Sequence, residues 1–136
     1  MVVQTAKLEP ARSALSEAVL QTAADRDLPL VIAGAQEYLT LAYYDHGRSP
    51  FLALADPQSA ARYMGTDNMD VNLIDLRAFL PVNVRDYVEF SGQHPSFLLY
   101  SQLGDPWSWL PSRLRDDGRT LQPLLLEPNH VLYLVK

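Results

Sequence analysis

The chain of 136 residues contains no cysteine, which removes together a disulfide, a thiolate nucleophile and a Cys-ligated zinc site. That absence suits a cytosolic and an extracytoplasmic location equally. Basic residues are few and dispersed, eleven against sixteen acidic ones, for a net charge of −5. Phosphate backbones are held by clustered Lys and Arg, so this balance argues against a nucleic-acid partner; acidity of this size reads as a solubility feature. No run approaches the roughly 20 apolar residues that cross a bilayer. The opening MVVQTAKLEP also lacks the basic start and apolar middle of a signal peptide, and the chain as given is expected to be soluble. The serines include no GxSxG elbow, and His46, His94 and His130 form no HxH or HExxH pair. A hydrolase triad therefore has no anchor, and a metal has no ligand set. No catalytic residue, metal ligand or cofactor is expected.

What is present is the composition of one globular α/β domain spanning residues 1–136, at 48% hydrophobic and 20% charged. Strand and helix patterns alternate with little linker. Residues 10–26 place Ala14, Leu15, Ala18, Val19 and Ala23 on one helical face. LVIAG then reads as a buried strand, and residues 35–44 as a helix with Tyr38, Leu39, Ala42 and Tyr43 inward. FLALA is a second central strand. Asp56-Pro57 suits a helix start, with Asp as a side-chain cap and Pro in the first turn, for a helix that buries Ala60, Ala61 and Met64 and stops near Gly65. TDNMD reads as a polar loop, and residues 72–81 fit a helix or a strand. Asn83 is the expected cap of a helix VRDYVEFSGQ with Val84, Tyr87, Val88 and Phe90 inward. SFLLYS is a third strand, followed by Gly104-Asp105-Pro106 and a helix WSWLPSRLRDDG that Pro111 bends and Gly118 ends. LQPLLLE, a turn at Pro128-Asn129-His130 and VLYLV form an antiparallel hairpin.

Strands separated by helices run parallel. The expectation is a Rossmann-like three-layer α/β sandwich, with a mainly parallel sheet and a C-terminal antiparallel hairpin. Ligands of such sheets sit at the carboxyl ends of the strands, an edge that would gather Gly34, Gln36 and Glu37, then Asp56, then Gln102, Asp105 and Trp107 as ligand-binding candidates. A dinucleotide turn needs three spaced glycines and an acid about 20 residues on. Asp56 lies 22 residues after Gly34, but GAQEYL carries one glycine and Glu37 would face the phosphate; capping explains Asp56 without a nucleotide. Asp67 with Asp70, and Asp116 with Asp117, read as solvated acids at a loop and a helix end. Of Trp107 and Trp109, two apart on a helix, one is expected at the surface, to pack on a neighbouring domain or stack on a sugar.

The succession LPLVIAGAQEYLTLAYYD, FLALADPQSAARYMGTDNMD, LPVNVRDYVEFSGQHPSFLLYS and HVLYLV resembles the soluble C-terminal region of bacterial multi-spanning membrane glycosyltransferases of the protein O-mannosyltransferase and lipid A aminoarabinose transferase group. The likeness covers nearly the whole chain from about residue 11, and it is carried above all by LADP...RYMGTD and HPSFLLY. In that family the catalytic acid lies between transmembrane helices and the donor is a polyprenyl-phosphate-linked sugar. The resemblance implies an accessory domain, excised from a larger membrane protein, on the extracytoplasmic (periplasmic) face of the inner membrane. It would not be catalytic alone. Its partners would be the transmembrane part of its own parent chain and a sugar or protein acceptor, and no family catalytic residue transfers to a position here. A free-standing nucleotide- or sugar-binding module and a small enzyme are the alternatives, the last without a nucleophile, metal set or convergent acid pair.

Overall fold

The computed structural model describes residues 15–45, 50–104 and 108–136. Stretches without charge form the middle of its sheet: β1 (Leu30–Ile32), β2 (Phe51–Ala55) and β4 (Phe97–Gln102), with β3 (Val84–Asp86) beside β2. A parallel strand covered on both faces needs apolar residues throughout, and β1 and β2 are buried at every position. The hairpin β5 (Leu121–Leu126) and β6 (His130–Val135) completes a six-stranded sheet of order β3-β2-β1-β4-β6-β5. β3, β2, β1 and β4 are parallel; β6 runs antiparallel to β4, and β5 to β6. The chain is thus α/β with a mixed, mostly parallel sheet and an antiparallel C-terminal hairpin.

Six helices pack on it among the described residues: α1 (Glu17–Arg26), α2 (Ala35–Asp45), α3 (Pro57–Met64), α4 (Asn68–Leu76), α5 (Tyr87–Gln93) and α6 (Leu110–Asp116). Alternation along each strand sends neighbouring side chains to opposite faces. Leu30, Ile32, Phe51, Ala53 and Leu98 meet Val19 of α1, Tyr38 and Leu41 of α2 and Leu73 of α4. On the other face Val31, Leu52, Leu54 and Leu99 meet Ala60 of α3, Tyr87 and Phe90 of α5, and Leu110 and Leu114 of α6. Each fully buried Leu or Ile contributes about 1.5–3 kcal/mol, so the two cores specify which face every helix covers.

Several expectations change for local reasons. The first helix begins at Glu17, because the Ser16 hydroxyl accepts the Val19 N–H at 3.2 Å and closes the first turn there; residues 10–14 lie outside the described residues. Ala18, Ala61 and Val88, expected inward, are exposed, as is Tyr43. Ser59 takes the buried place instead of Ala61. TDNMD is loop only at Thr66 and Asp67, since α4 starts at Asn68, and residues 72–81 are helix only to Leu76 before turns take over. Asn83 caps nothing: Val84 to Asp86 pair with β2, and Asp86 is the cap of α5, its carboxylate accepting the Glu89 N–H at 3.0 Å. Pro111 falls in the first turn of α6, where a missing N–H is harmless, rather than mid-helix. Gly65 and Gly118 do end their helices at φ 80 and 83.

Candidate ligand-binding cleft

The strand order turns back between β1 and β4: the chain leaves β1 toward β2 and β3, then returns on the other side of β1. Crossovers diverging from such a point open a crevice at the carboxyl edge of the sheet. At that edge lies a cleft of about 680 Å³, inside the range of about 300–1,000 Å³ typical of small-molecule sites. One wall is the start of α2, Gly34 to Glu37 with Thr40 one turn on. The opposite wall is the end of α3 and the start of α4, with Met64, Thr66, Asn68 and Met69. Gln102 closes it from the end of β4. Gly34 holds the helix start through its carbonyl, which accepts the Tyr38 N–H at 2.9 Å.

Among the described residues, Glu37 is the only ionisable one lining the cleft. Its Oε2 lies 2.5 Å from Nε2 of His130, which opens β6 in register with Gln102. The His130 ring stacks on Tyr100 at 4.6 Å between centroids. The Tyr100 hydroxyl donates to Glu127 Oε1 at 2.7 Å, and the Ser16 hydroxyl to Oε2 at 2.6 Å. Burial, reinforced by the Glu127 hydrogen bond, pushes the Tyr100 phenol well up, whereas the Ser16 and Tyr100 donors hold the Glu127 carboxyl below its ordinary value. His130, expected in the turn, is thus the first residue of a strand and is engaged by Glu37 and Tyr100.

A second polar cluster fastens the α3–α4 wall. Asp70 is 2% exposed; its Oδ2 accepts the Asp56 N–H at 2.8 Å and the Trp109 indole N–H at 2.9 Å. Burial raises its carboxyl above the usual value, against the lowering effect of these two donors. Asp56 sits before α3 but makes no side-chain cap. Its Oδ2 accepts from Ser59 Oγ at 2.8 Å and from Arg113 Nη1 at 3.1 Å. Arg113 also binds Asp117 Oδ2 through Nε at 3.0 Å and lies 4.8 Å from the Tyr87 ring centroid. The Tyr87 hydroxyl donates to Asp117 at 2.7 Å, and burial with that bond pushes its pKa up to about 12. Asp70 is thus a buried anchor, not a solvated acid, whereas Asp117 is exposed as expected while engaging Arg113 and Tyr87.

Comparison with protein-family models, curated proteins and solved structures found no match to this chain. The reading of the cleft therefore rests on its own chemistry. Of the sequence candidates, Gly34, Gln36, Glu37 and Gln102 come together in it, and Asp56 is engaged behind its wall. Asp105 and Trp107 lie outside the described residues, as does His46. Trp109 is buried, bonded to Asp70. Thr40, Met64, Thr66, Asn68, Met69 and His130 were not anticipated. One signal for the α4 wall was available: Asp70, Leu73 and Ile74 have the i, i+3, i+4 spacing of a helix face. Among the described residues no group of three or more His, Asp or Glu is placed to hold a metal. What the cleft offers is neutral hydrogen bonding by carboxamides and hydroxyls, beside the thioethers of two methionines.

Proposed function

We propose that this chain is a Rossmann-like accessory domain of a membrane glycosyltransferase-like protein that uses a polyprenyl-phosphate-linked sugar. It acts on the periplasmic side in recognising an acceptor or partner and in packing on the transmembrane part of its own parent, which carries the catalysis. The observation that supports this reading is where the resembling stretch LADPQSAARYMGTDNMD falls. It runs from β2 through α3 into α4, supplies Met64, Thr66, Asn68 and Met69 to the cleft, and holds the buried Asp56 and Asp70 behind it. The most distinctive run of the resemblance is therefore the run that builds the site.

Packing on a membrane part is supported at the opposite end of the domain. α2 runs about 16 Å at 1.5 Å per residue from the cleft to the amino edge of the sheet. There Tyr43 is 73% and Phe79 81% exposed, beside Tyr44 and Leu80. A shallow groove between Leu39, Ala42, Tyr43, Leu80, Pro81 and Val82 joins Tyr43 to Leu80. Exposed aromatic and aliphatic side chains in one patch suit a protein or membrane-interface contact, and docking there leaves the cleft open. The reading frame upstream of Met1 tests the proposal: it is expected to encode several apolar spans, and a frame that opens at Met1 without them sinks it.

A second reading, a free-standing sugar- or nucleotide-binding module, is favoured by the cleft alone. Thermal shift with sugars and nucleotides checks it, because a ligand at 100 times its Kd raises stability by about 2.7 kcal/mol. No shift at millimolar ligand counts against it.

A further inference from the structure

We propose that the cleft at the carboxyl edge binds an uncharged, hydroxyl-rich small molecule of the sugar or polyol class and excludes phosphates and nucleotides. This deepens the second reading above, since it rests on the cleft being a ligand site, and it is independent of the parent protein, whose test is the reading frame.

The argument is one of charge and of unused hydrogen-bonding groups. Among the described residues no Lys or Arg lines the cleft, although anions are held in proteins chiefly by such cations. The start of α2 offers a partial positive charge, but Glu37 stands in that first turn and answers it with a carboxylate. The His130 ring beside the lining is already engaged by Glu37 at 2.5 Å and is not left over for an anion.

The lining is otherwise amide and hydroxyl. Among the described residues the carboxamides of Gln36, Asn68 and Gln102 make no hydrogen bond within the protein, so each keeps donors and an acceptor for a ligand. Thr40 Oγ1 donates to the Gln36 carbonyl and Thr66 Oγ1 accepts the Asn68 N–H, and both oxygens retain lone pairs. A sugar hydroxyl both donates and accepts, which matches carboxamides better than a phosphate oxygen, an acceptor only. Met64 and Met69 supply apolar surface for the C–H face of a ring.

An NMR titration of the isotope-labelled chain tests this. The neutral arm is glucose, mannose, galactose and N-acetylglucosamine, each beside its methyl glycoside; the anionic arm is glucose phosphate, UDP and inorganic phosphate. At least one neutral sugar is expected to shift the amides of Gln36, Thr40, Thr66, Asn68 and Gln102 saturably, with a Kd on the order of 1–10 mM. Equal binding of its methyl glycoside assigns the site to a conjugated sugar, and binding of the free sugar alone to a free one. Gln36→Ala or Gln102→Ala should weaken that binding about 5–10-fold. Glu37→Gln should strengthen phosphate binding about threefold or more. The proposal is overturned by the absence of any saturable response to the neutral sugars up to about 100 mM, a concentration far above the weakest Kd expected of such a cleft. Tighter binding of UDP or phosphate than of any neutral sugar overturns it too, as does an anion response that Glu37→Gln leaves unchanged.

Discussion

Replacing Asp70 by Ala removes the acceptor on which two buried donors depend, the Asp56 N–H and the Trp109 indole N–H, at 2.8 and 2.9 Å. A buried donor left without a partner costs about 1–3 kcal/mol. Two of them come to about 2–6 kcal/mol, from which relief of the burial of Asp70 itself subtracts a part, leaving about 2–4 kcal/mol. Against a total stability of about 5–15 kcal/mol that is a large loss, equivalent to a fall in Tm of about 8–15 °C for a chain of this size. Urea unfolding followed by far-ultraviolet circular dichroism measures it. Asp70→Asn keeps an acceptor oxygen and should retain most of the stability. In a double-mutant cycle with Trp109→Phe, the combined loss should fall short of the sum by about 1–2 kcal/mol, because the second change removes a donor already orphaned by the first. A loss for Asp70→Ala below about 0.5 kcal/mol, the scale of an ordinary surface change, would refute the reasoning. The same carboxyl leaves a pH signature. Burial raises it above its unfolded value, so ionisation is easier in the unfolded chain. Stability should therefore fall as pH climbs from the unfolded to the raised folded value, then level off. Asp70→Asn should flatten that window, and an unchanged profile would contradict the burial.

Arg113→Met should cost about 1.5–3 kcal/mol in chemical denaturation, the range for hydrogen bonds to charged groups, since Asp56, Ser59 and Asp117 all lose the same donor. Glu127, held low by Ser16 and Tyr100, contributes stability above its unfolded pKa that is lost as pH falls through its folded one. The Tm difference between wild type and Glu127→Gln should accordingly shrink on acidification. Gly65→Ala should destabilise by about 1–2 kcal/mol, the left-handed penalty alone, because φ is 80 and no atom crowds a Cβ there. Gly92→Ala, helical and equally uncrowded, should stabilise by about 0.4–1 kcal/mol; thermal melts of the pair separate backbone strain from packing. Phe79→Ser with Tyr43→Ser, both exposed, should leave unfolding within about 0.5 kcal/mol of wild type; a larger loss would mean that the patch is part of the core.

The three apolar strands were legible because a strand buried on both faces must be apolar at successive positions, a condition written in FLALA itself. The hairpin was legible from its turn residues. The second half of the middle segment was not. NMDVNLIDL looks polar because α4 presents one narrow apolar side, Leu73 and Ile74, and its remaining inward position is an acid. A buried Asp is recognised as core only when its donors are known, and one of them, Trp109, is 39 residues away. Val84 to Asp86 show the converse: three residues with a single buried position carry too short a period to separate a strand from the helix that follows.

Asp56 makes the physical limit clear. Read locally, an acid before Pro57 is a cap, and an acid 22 residues after Gly34 is a ribose ligand. It is placed as neither, because its carboxylate is taken by Arg113, 57 residues on. Glu37 repeats the pattern with His130, 93 residues on. Local periodicity reports which face of an element is buried; it is silent about which polar groups meet once faces are stacked, since that depends on topology. Composition, by contrast, sums over the whole chain and survives folding. With only eleven Lys and Arg and none among the described residues lining the cleft, the poverty in basic residues that argues against a nucleic-acid partner also argues, at the scale of one cavity, against a phosphate. The lack of basic residues along the described lining is thus the local form of a property the sequence displays from its first reading.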